Sequence, residues 1–476
     1  MSFIIIINAG VISIMETEIQ IIGNDNLKKF AKQAGFALKD VLAVSSQNDP
    51  FNIGTRAQVK QAEWFQYLWE KFCYSHGIHL RRIHYQAVSE EILKPDGTVY
   101  QNTLEDWAFL GGAGRFARYL NYVDARCFVD RRNPDPKIYY AYEIPIDKPH
   151  WNTNSIFTHW NMPGIDTNLA SEIDWELPTY NLYGYEYFEK LQPYHIEIWE
   201  EKSTMDDVLK PICSKYGIDL VTGLGYLSIT SIMGLLDRID RCKKPTLIFY
   251  ISDFDPAGFH MPKQVARQIE FWMYKNKLEL DVKLNPIVLT KEQMINYQLP
   301  RIPIKESDRR KKNFEETFGE GATELDALEA LHPGELKKII ENQVAQYRDP
   351  KLHQKLRDAK SEAEKAMKES WETVENKYQP QLDEIKESTE NILANYKEEL
   401  EQLSDRLAEE LQPHRENLES LWDDVTLEIS KMKTELPEKP EPEINMSDKN
   451  YLFDSDRDYL QQLQVYKNYR DGNHSA

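Results

Sequence analysis

The sequence predicts an α/β protein whose parallel sheet is flanked by helices, with a winged-helix-like domain before it and a long helical region after it. The apolar run Leu247–Ile251 has the β-branched and aromatic character of a buried parallel strand. The stretch His195–Lys202 is a second strand candidate that also ends in acidic residues. From residue 341 onwards, apolar residues recur at three- and four-residue steps, which indicates long amphipathic helices.

The chain between the two strand candidates has the length of a strand-helix-strand-helix passage. About 50 residues separate Glu201 from Asp253, which is enough for such a passage. Met205–Lys215 predicts a helix with acids in its first turn, Asp219–Thr222 a short strand, and Ser228–Arg238 a second helix. This passage would bring one Glu and two Asp to the same edge of the sheet.

Two acids follow the run Leu247–Ile251 directly. Asp253 and Asp255 stand two positions apart, and a Pro and a Gly then turn the chain. Ligands of open α/β sheets bind just past the carboxyl ends of the strands. Carboxylates at that edge suit Mg²⁺, which prefers oxygen ligands and keeps several of its waters. A solvated acidic turn after a core strand is the alternative interpretation of the same residues.

Four stretches, in order along the chain, resemble the motifs of the Toprim fold, which topoisomerases, primases and some nucleases share. The resemblance is closer to one branch, the A subunit of topoisomerase VI and its relative that makes the meiotic double-strand break. The motifs are a strand-end Glu, a Gly-rich turn, an Asp-x-Asp-Pro-x-Gly and a later Glu-x-x-Ala-Leu. In this chain they correspond to Glu201-Lys202, residues 222–230, residues 253–258 and residues 324–328.

The resemblance implies a Toprim domain over residues 191–340 that binds Mg²⁺. Its metal ligands would be Glu201, Asp253 and Asp255, and Glu201 would also take part in catalysis. A subunits of this family are dimers that act on DNA together with a separate ATPase subunit. The resemblance therefore implies DNA, a homodimer and an ATPase partner.

Residues 51–145 predict a winged-helix-like domain, because three helical patterns are followed by a short strand and a basic turn. In the topoisomerase VI family such a domain precedes the Toprim domain and carries the attacking tyrosine in an Arg-x-Ile-Tyr-Tyr pattern. His84 departs from the family pattern, and Tyr85 stands at the position of the nucleophile. The matching residues are Arg81, Ile83, His84 and Tyr85.

A tyrosine nucleophile needs a nearby positive charge, because a phenol has a pKa of about 10 and is protonated at neutral pH. Arg81 or the metal would supply that charge. Tyr85 would then attack a DNA phosphodiester and hold the 5′ end. The alternative is that Tyr85, one of 26 tyrosines in the chain, packs between helices.

Basic residues stand near the predicted acidic site in the sequence. Residues 304–312 form a charged cluster between the core strands and Glu324. A solvated loop is the ordinary interpretation of such a cluster, but it is also the strongest candidate in the chain for a phosphate-backbone contact. The predicted DNA-contacting residues are Arg118, Lys202, His260, Arg309, Arg310 and Lys311.

The net charge of −20 argues against nonspecific binding of nucleic acid by the whole molecule. The charge is uneven, however. Residues 341–476 hold 32 acidic and 19 basic residues, whereas residues 55–150 are close to neutral. A local DNA-binding groove is therefore compatible with the composition.

The long helical region covers residues 341–436 and indicates a coiled coil, either an antiparallel hairpin or a dimerising arm. Pro380 and Pro413 predict that it breaks into about three segments. The predicted order is an N-terminal segment, a winged-helix-like domain, a linker, a Toprim-like domain, the coiled coil, and a linker with a C-terminal docking helix. Their bounds are 1–50, 51–145, 146–190, 191–340, 341–436 and 437–476.

The four cysteines have no metal-ligand spacing, which indicates the reduced thiols of a cytoplasmic protein. The apolar segment Phe3–Ile14 is too short to span a membrane, so no membrane partner is expected.

The sequence favours Mg²⁺-dependent DNA cleavage or strand transaction that resembles the topoisomerase VI A subunit, with Tyr85 as the nucleophile. Two alternatives remain open. One is a Toprim metal-dependent nuclease of the phage- or plasmid-defence type, which uses water. The other is a non-catalytic DNA-binding or assembly protein that acts through its coiled coil.

Overall fold

The computed structural model describes most of the chain: residues 5–8, 11–14, 21–129, 133–145, 147–153, 175–223, 228–396, 404–443 and 451–472. The chain divides into two compact units. The first, which we call the sheet unit, comprises Met1–Tyr142, Gln192–Arg348 and Ile444–Ala476. The second, the hairpin unit, comprises Glu143–Leu191 and Asp349–Glu443. The chain therefore leaves the sheet unit twice and returns to it twice.

The described residues form nine strands and fourteen α-helices. The strands are β1 Ile5–Asn8, β2 Val11–Ile14, β3 His150–Thr153, β4 Tyr180–Tyr183, β5 His195–Glu200, β6 Asp219–Thr222, β7 Thr246–Ile251, β8 Val282–Val288 and β9 Phe453–Asp454. The helices are α1 Asn24–Gln33, α2 Arg56–Lys71, α3 Leu80–Ser89, α4 Leu104–Tyr119, α5 Asp206–Tyr216, α6 Ile229–Cys242, α7 Met261–Asn276, α8 Lys291–Asn296, α9 Lys311–Phe318, α10 Asp326–Leu331, α11 Glu335–Ala345, α12 Leu352–Tyr396, α13 Ser404–Lys431 and α14 Tyr459–Arg470.

A five-stranded sheet with the order β6-β5-β7-β8-β9 forms the centre of the sheet unit. Strands β5 to β8 are parallel, and β9 adds an antiparallel edge. Every residue of β5, β6 and β7 is buried, as expected for parallel strands that helices cover on both faces. The predicted α/β class, with a mostly parallel sheet flanked by helices, is confirmed.

The helices between the strands begin and end with local signals. Helix α5 carries two acids in its first turn and ends at Gly217, which adopts a left-handed conformation with φ of 60°. Helix α6 begins after Ser228, whose side chain accepts a hydrogen bond from the N–H of Ser231. The predicted strand Asp219–Thr222 and the two predicted helices around it are all present.

Helices α2, α3 and α4 pack around a small core of their own. That core includes Phe65 and Leu68 from α2 and Ile83 from α3. Helix α3 buries Ile83 and His84 and leaves the next residue, Tyr85, 60% exposed. These helices therefore present Tyr85 outward on a rigid element.

The C-terminal residues complete the sheet unit. Strand β9 pairs with β8, and α14 buries its aromatic side chains in the core that also contains α6 and α7. The predicted C-terminal docking helix thus packs on its own chain. The buried side chains of α14 in this core are Tyr459, Leu463, Tyr466 and Tyr469.

Helices α12 and α13 pair antiparallel and dominate the hairpin unit. Ser370 contacts Thr434 at 2.9 Å, and Ser388 contacts His414 at 3.4 Å. Residue numbers thus rise along one arm of the pair while they fall along the other, which is antiparallel pairing. The antiparallel hairpin is thus the alternative that the structure shows. The shared core is built from Val374, Tyr378, Leu382, Leu411, Leu418, Leu421, Trp422, Val425 and Ile429.

The prediction that Pro380 and Pro413 break these helices is wrong. Pro380 lies inside α12, and Pro413 lies inside α13. A proline inside a helix removes one backbone hydrogen bond and is unfavourable by about 3 kcal/mol. Tyr378 and Leu382 on either side of Pro380 are buried against α13, and this packing outweighs the local penalty.

One buried ionic group joins three distant parts of the sheet unit. The guanidinium of Arg267 on α7 contacts Asp49 at 3.1 Å and Glu270 at 3.0 Å, and it donates to the hydroxyl of Tyr459 at 2.7 Å. Tyr459 in turn donates to the carbonyl of Val41 at 2.8 Å. Because the Arg267 side chain is fully buried, both acids depend on it for neutralisation.

Arg267→Met should destabilise the protein by about 3–5 kcal/mol, because it leaves two buried carboxylates without a counter-charge. Urea unfolding followed by circular dichroism would measure the change. The matched control is Arg126→Met, since Arg126 pairs with Asp237 at the surface with about half of each side chain exposed; its loss should be below about 1 kcal/mol. Equal losses for the two variants would contradict the assignment.

Candidate metal centre at the carboxyl edge of the sheet

Three predicted site residues come together where β5 and β7 end. Glu201 follows the last residue of β5, and its N–H donates to the carbonyl of Ile251 at 3.2 Å. Asp253 and Asp255 follow the last residue of β7 within four positions. Because β5 and β7 are adjacent and parallel, both strand ends lie at the same edge of the sheet. The three acids and their neighbour Glu324 are called the acid cluster below.

The surroundings of Glu201 disfavour its charged form. Burial, followed by the negative charges of Asp253 and Asp255, raises its pKa to about 7. Its Oε2 atom is buried and has no hydrogen-bond partner. A buried carboxylate oxygen without a partner is unusual and unfavourable, so this atom is available to a cation.

Asp253 is almost fully buried, with 4% of its surface exposed. Its Oδ1 accepts a hydrogen bond from the N–H of Leu325 at 2.8 Å, and its Oδ2 forms an ion pair with Lys202. Lys202 also contacts Oε2 of Glu324 at 2.5 Å. Burial raises the pKa of Asp253, whereas the Lys202 contact lowers that of Glu324.

Asp255 organises the turn that leads into α7. Its Oδ1 accepts hydrogen bonds from the N–H groups of Ala257 at 2.8 Å and Gly258 at 2.6 Å. A Cβ atom at Gly258 would collide with the carbonyl oxygen of Asp253, so the turn requires glycine there. The spacing of the two aspartates is therefore held by the backbone.

The donor set of the acid cluster fits a hard divalent cation. All of its donors are carboxylate oxygens, and one of them, Oε2 of Glu201, is buried without a partner. The oxygens of Glu201, Asp253 and Asp255 do not all lie within 4.8 Å of one another, so they are more widely spaced than in a formed coordination sphere. Among the described residues, the only group of three potential ligands that meets this distance lies elsewhere. Glu201, Asp253 and Asp255 would hold the ion.

That other group, which the sequence analysis missed, consists of His195, Glu197 and Asp219. It is fully buried at the amino ends of β5 and β6, and its donor atoms lie close enough together to hold a metal ion. The structure already neutralises it, however. Arg238 donates to both oxygens of Glu197 at 2.7 and 2.8 Å, and the Tyr142 hydroxyl donates to Asp219 at 2.8 Å. A metal would have to displace these partners.

His195 carries the remaining charge of that group. Burial alone would lower its pKa, but the hydrogen bond to Asp219 and the nearby Cys242 and Glu197 outweigh burial and raise the pKa to about 9. Two cationic and two anionic side chains then balance each other. The sequence signal for this group is the alternation of the polar His195 and Glu197 with apolar residues at the start of the strand.

Tyr85 and Arg81 lie on α3, where both side chains are exposed. In the described residues the Tyr85 hydroxyl forms no hydrogen bond with Glu201, Asp253 or Asp255, so one chain does not bring the predicted nucleophile and the acids into contact. His84, the departure from the family pattern, is buried, and its ring nitrogens contact the Tyr100 hydroxyl at 2.7 Å and Oδ1 of Asn102 at 3.1 Å.

The predicted DNA contacts have different surroundings. Arg118 lies in the last turn of α4, where it donates to the hydroxyl of Thr230 on α6 at 3.4 Å and packs on the Phe128 ring. Arg309 is exposed, whereas Arg310 pairs with Asp308 at 2.8 Å and Lys311 with Glu306 at 2.5 Å. The predicted charged loop is therefore partly self-neutralised.

Positive charge nevertheless borders the acid cluster. Burial, followed by the charges of Lys263 and Arg310, lowers the pKa of His260 to about 4, and its Nδ1 is buried without a hydrogen-bond partner. Lys305 helps Lys202 to lower the pKa of Glu324. The loop 304–312 thus contributes positive charge to both His260 and Glu324.

No protein-family model matches this chain, and no curated protein is similar enough to it to count as a relative. Among the described helices, none is both long enough and apolar enough to cross a membrane.

Glu201→Gln should stabilise the protein above pH 7. The pKa of Glu201 lies near 7 in the folded protein against 4.5 ordinarily, so the wild type loses stability as pH rises through this window, and the amide removes that loss. We expect a gain of about 1–2 kcal/mol at pH 8 in EDTA and little difference at pH 4.5, measured by urea unfolding. The exposed Glu320→Gln is the control. Equal stability of wild type and Glu201→Gln at pH 8 would refute the assignment.

His195→Gln should lose stability in a pH-dependent manner. Because the folded pKa is raised from 6.5 to about 9, the contribution of His195 is fully present below pH 6.5 and is lost as pH rises through about 9. The difference in unfolding free energy between wild type and variant should therefore shrink by about 2–3 kcal/mol between pH 6 and pH 9.5. The exposed His76→Gln should show no such change. A constant difference would show that His195 is neutral.

Proposed function

We propose that this chain cleaves DNA in a Mg²⁺-dependent reaction at the acid cluster, as a divergent relative of the topoisomerase VI A subunit with a Toprim-like domain. The observation that supports this best is the convergence of Glu201, Asp253 and Asp255 at adjacent parallel strand ends, with a buried carboxylate oxygen that lacks a partner. Such a site suits a divalent cation, which would neutralise the acids and occupy the oxygen that lacks a partner.

The surroundings of the acids suit a phosphodiester. Mg²⁺, when bound, would polarise the phosphoryl group and neutralise charge that develops on its oxygens. His260, with its pKa lowered to about 4, is neutral at pH 7 and adds no charge to the site. Lys305 and Arg309 on the exposed loop would contact neighbouring phosphates.

Tyr85 is the proposed nucleophile. Arg81 precedes it by four residues on α3, so both side chains extend from one face of the helix toward solvent. The Tyr85 oxygen would attack phosphorus and form a phosphotyrosine ester with the 5′ end, while the bond to the 3′ oxygen breaks and that oxygen takes up a proton. Arg81 would stabilise the phenolate.

Because the Tyr85 hydroxyl has no hydrogen bond to the described acids of its own chain, we propose that a homodimer supplies it to the acid cluster of a second copy. ATP-driven strand passage would require a separate ATPase subunit. The same observation keeps a second candidate open, a Toprim nuclease in which a metal-activated water attacks instead and Tyr85 has no role.

Supercoiled plasmid incubated with the protein and Mg²⁺, then quenched with detergent, should give nicked or linear DNA whose mobility changes on protease treatment. Tyr85→Phe and Glu201→Gln should each lower cleavage by about 10³-fold or more, because they remove the nucleophile and a metal ligand. An equimolar mixture of the two variants, allowed to exchange subunits, should recover part of the activity. Tyr67→Phe, which alters a similarly exposed tyrosine, is the matched control.

Each other outcome has a distinct meaning. Full activity of Tyr85→Phe with free DNA ends would favour the nuclease. No recovery in the mixture would contradict transfer of Tyr85 between copies. Cleavage that survives Glu201→Gln would exclude the acid cluster as its site. If the wild-type protein leaves the plasmid intact, the result would favour the third alternative, a non-catalytic assembly protein that acts through its helical hairpin.

A further inference from the structure

Lys202 is the one basic side chain that contacts the acid cluster directly in the described residues. It follows Glu201 in sequence, and its ammonium lies between Oδ2 of Asp253 and Oε2 of Glu324. Its side chain is 40% exposed, whereas that of Asp253 is 4% exposed. The ammonium thus reaches from solvent into the centre of the group of acids that is expected to bind a metal.

The Lys202 ammonium contacts the same Asp253 carboxylate that is expected to bind the metal. Oδ1 of Asp253 already accepts a hydrogen bond from the N–H of Leu325, so Oδ2 has the greater capacity to bind a metal, and this is the oxygen that Lys202 contacts. A divalent ion on Oδ2 would repel an ammonium in contact with the same atom. Lys202 and the metal therefore compete for one carboxylate oxygen.

Lys202 differs from Arg238, which neutralises Glu197 in β5. Arg238 is fixed by two hydrogen bonds to Glu197, and both side chains are nearly or fully buried. Lys202 is a point charge on a flexible stem, and its second partner, Glu324, is 47% exposed. Its contact with Asp253 can therefore be broken without moving the backbone.

We propose that Lys202 is an exchangeable counter-cation of this site. A divalent cation bound by Glu201, Asp253 and Asp255 displaces the Lys202 ammonium from Asp253. The released ammonium, which stays near its second partner Glu324, then binds an oxygen of the DNA phosphate that the metal holds. This role rests on the proposed function, because it presumes that the acid cluster binds a metal and a phosphodiester.

Metal binding tests the exchange without any cleavage. Purified full-length protein is titrated with Mn²⁺ while electron paramagnetic resonance reports the free ion. Lys202→Met should bind Mn²⁺ about 10-fold more tightly than wild type, because the competing charge is gone. Lys215→Met is the control, since Lys215 pairs with Glu341 away from the cluster and its loss should not change Mn²⁺ affinity. Lys202→Gln, which keeps hydrogen bonds to the carboxylates, replaces Lys202→Met if that variant fails to fold.

Unchanged or weaker Mn²⁺ binding by the Lys202 variants would overturn the exchange. Binding by Lys202→Met but not by wild type at millimolar Mn²⁺ would make Lys202 a permanent substitute for the metal, which overturns both the exchange and the proposed metal chemistry. If the wild-type protein binds Mn²⁺ but leaves the plasmid intact, the proposed DNA cleavage would be refuted and the exchange at Lys202 would not.

DNA binding tests the second half of the proposal. Fluorescence anisotropy with a labelled duplex is measured in Ca²⁺, another oxygen-preferring cation, and in EDTA. In Ca²⁺, Lys202→Met should bind about 3–10-fold more weakly than wild type, with a salt dependence reduced by about one phosphate contact. In EDTA, where Lys202 is engaged by Asp253, the two proteins should bind alike. An equal loss in both conditions would overturn the transfer of the ammonium to DNA.

Discussion

The parallel pairing of β5 with β7 is the constraint on which the candidate site depends. Glu200 pairs with Ile251, and the N–H of Glu201 continues the ladder, so acids that are distant in sequence begin at one level of the sheet. A slip of one residue in β5 would turn Glu201 to the opposite face. The packing resists such a slip, because every residue of both strands is buried between helices. The geometry of the site is thus a consequence of the core.

The strands, the helices between them and the convergence of the three acids could be predicted, because they follow from apolar runs, turn residues and the topology of parallel sheets. Contacts that depend on tertiary structure could not be predicted from the sequence. Lys202 lies between Asp253 and Glu324, two acids that are far from each other in sequence. Pro380 remains inside a helix because Tyr378 and Leu382 pack against a partner helix. His195 and Glu197 looked like parts of an ordinary strand, since their partners are supplied by other elements.

The two ends of β5 show how the same residue types serve different purposes. At the amino end, Glu197 and Asp219 are paired with Arg238 and His195, and all four side chains are nearly or fully buried. At the carboxyl end, about 20 Å along the strand from His195, Lys202 is the single cation among the described residues that contacts the acid cluster directly, and one oxygen of Glu201 has no partner. The matched end stabilises the sheet. The unmatched end retains the negative potential that a metal site requires.

The turn that carries Asp255 also depends on the end of the chain. Phe259, which follows that turn, stacks on Tyr469 of α14 with ring centroids 4.3 Å apart and planes 5° from parallel. Helix α14 is reached only after the chain has passed through the hairpin unit and returned to the sheet unit at Ile444. Helix α14 contributes Tyr459, Leu463, Tyr466 and Tyr469 to the core that also contains α6 and α7. The turn that carries Asp255 is therefore supported by residues more than 200 positions away in sequence, beyond the hairpin unit.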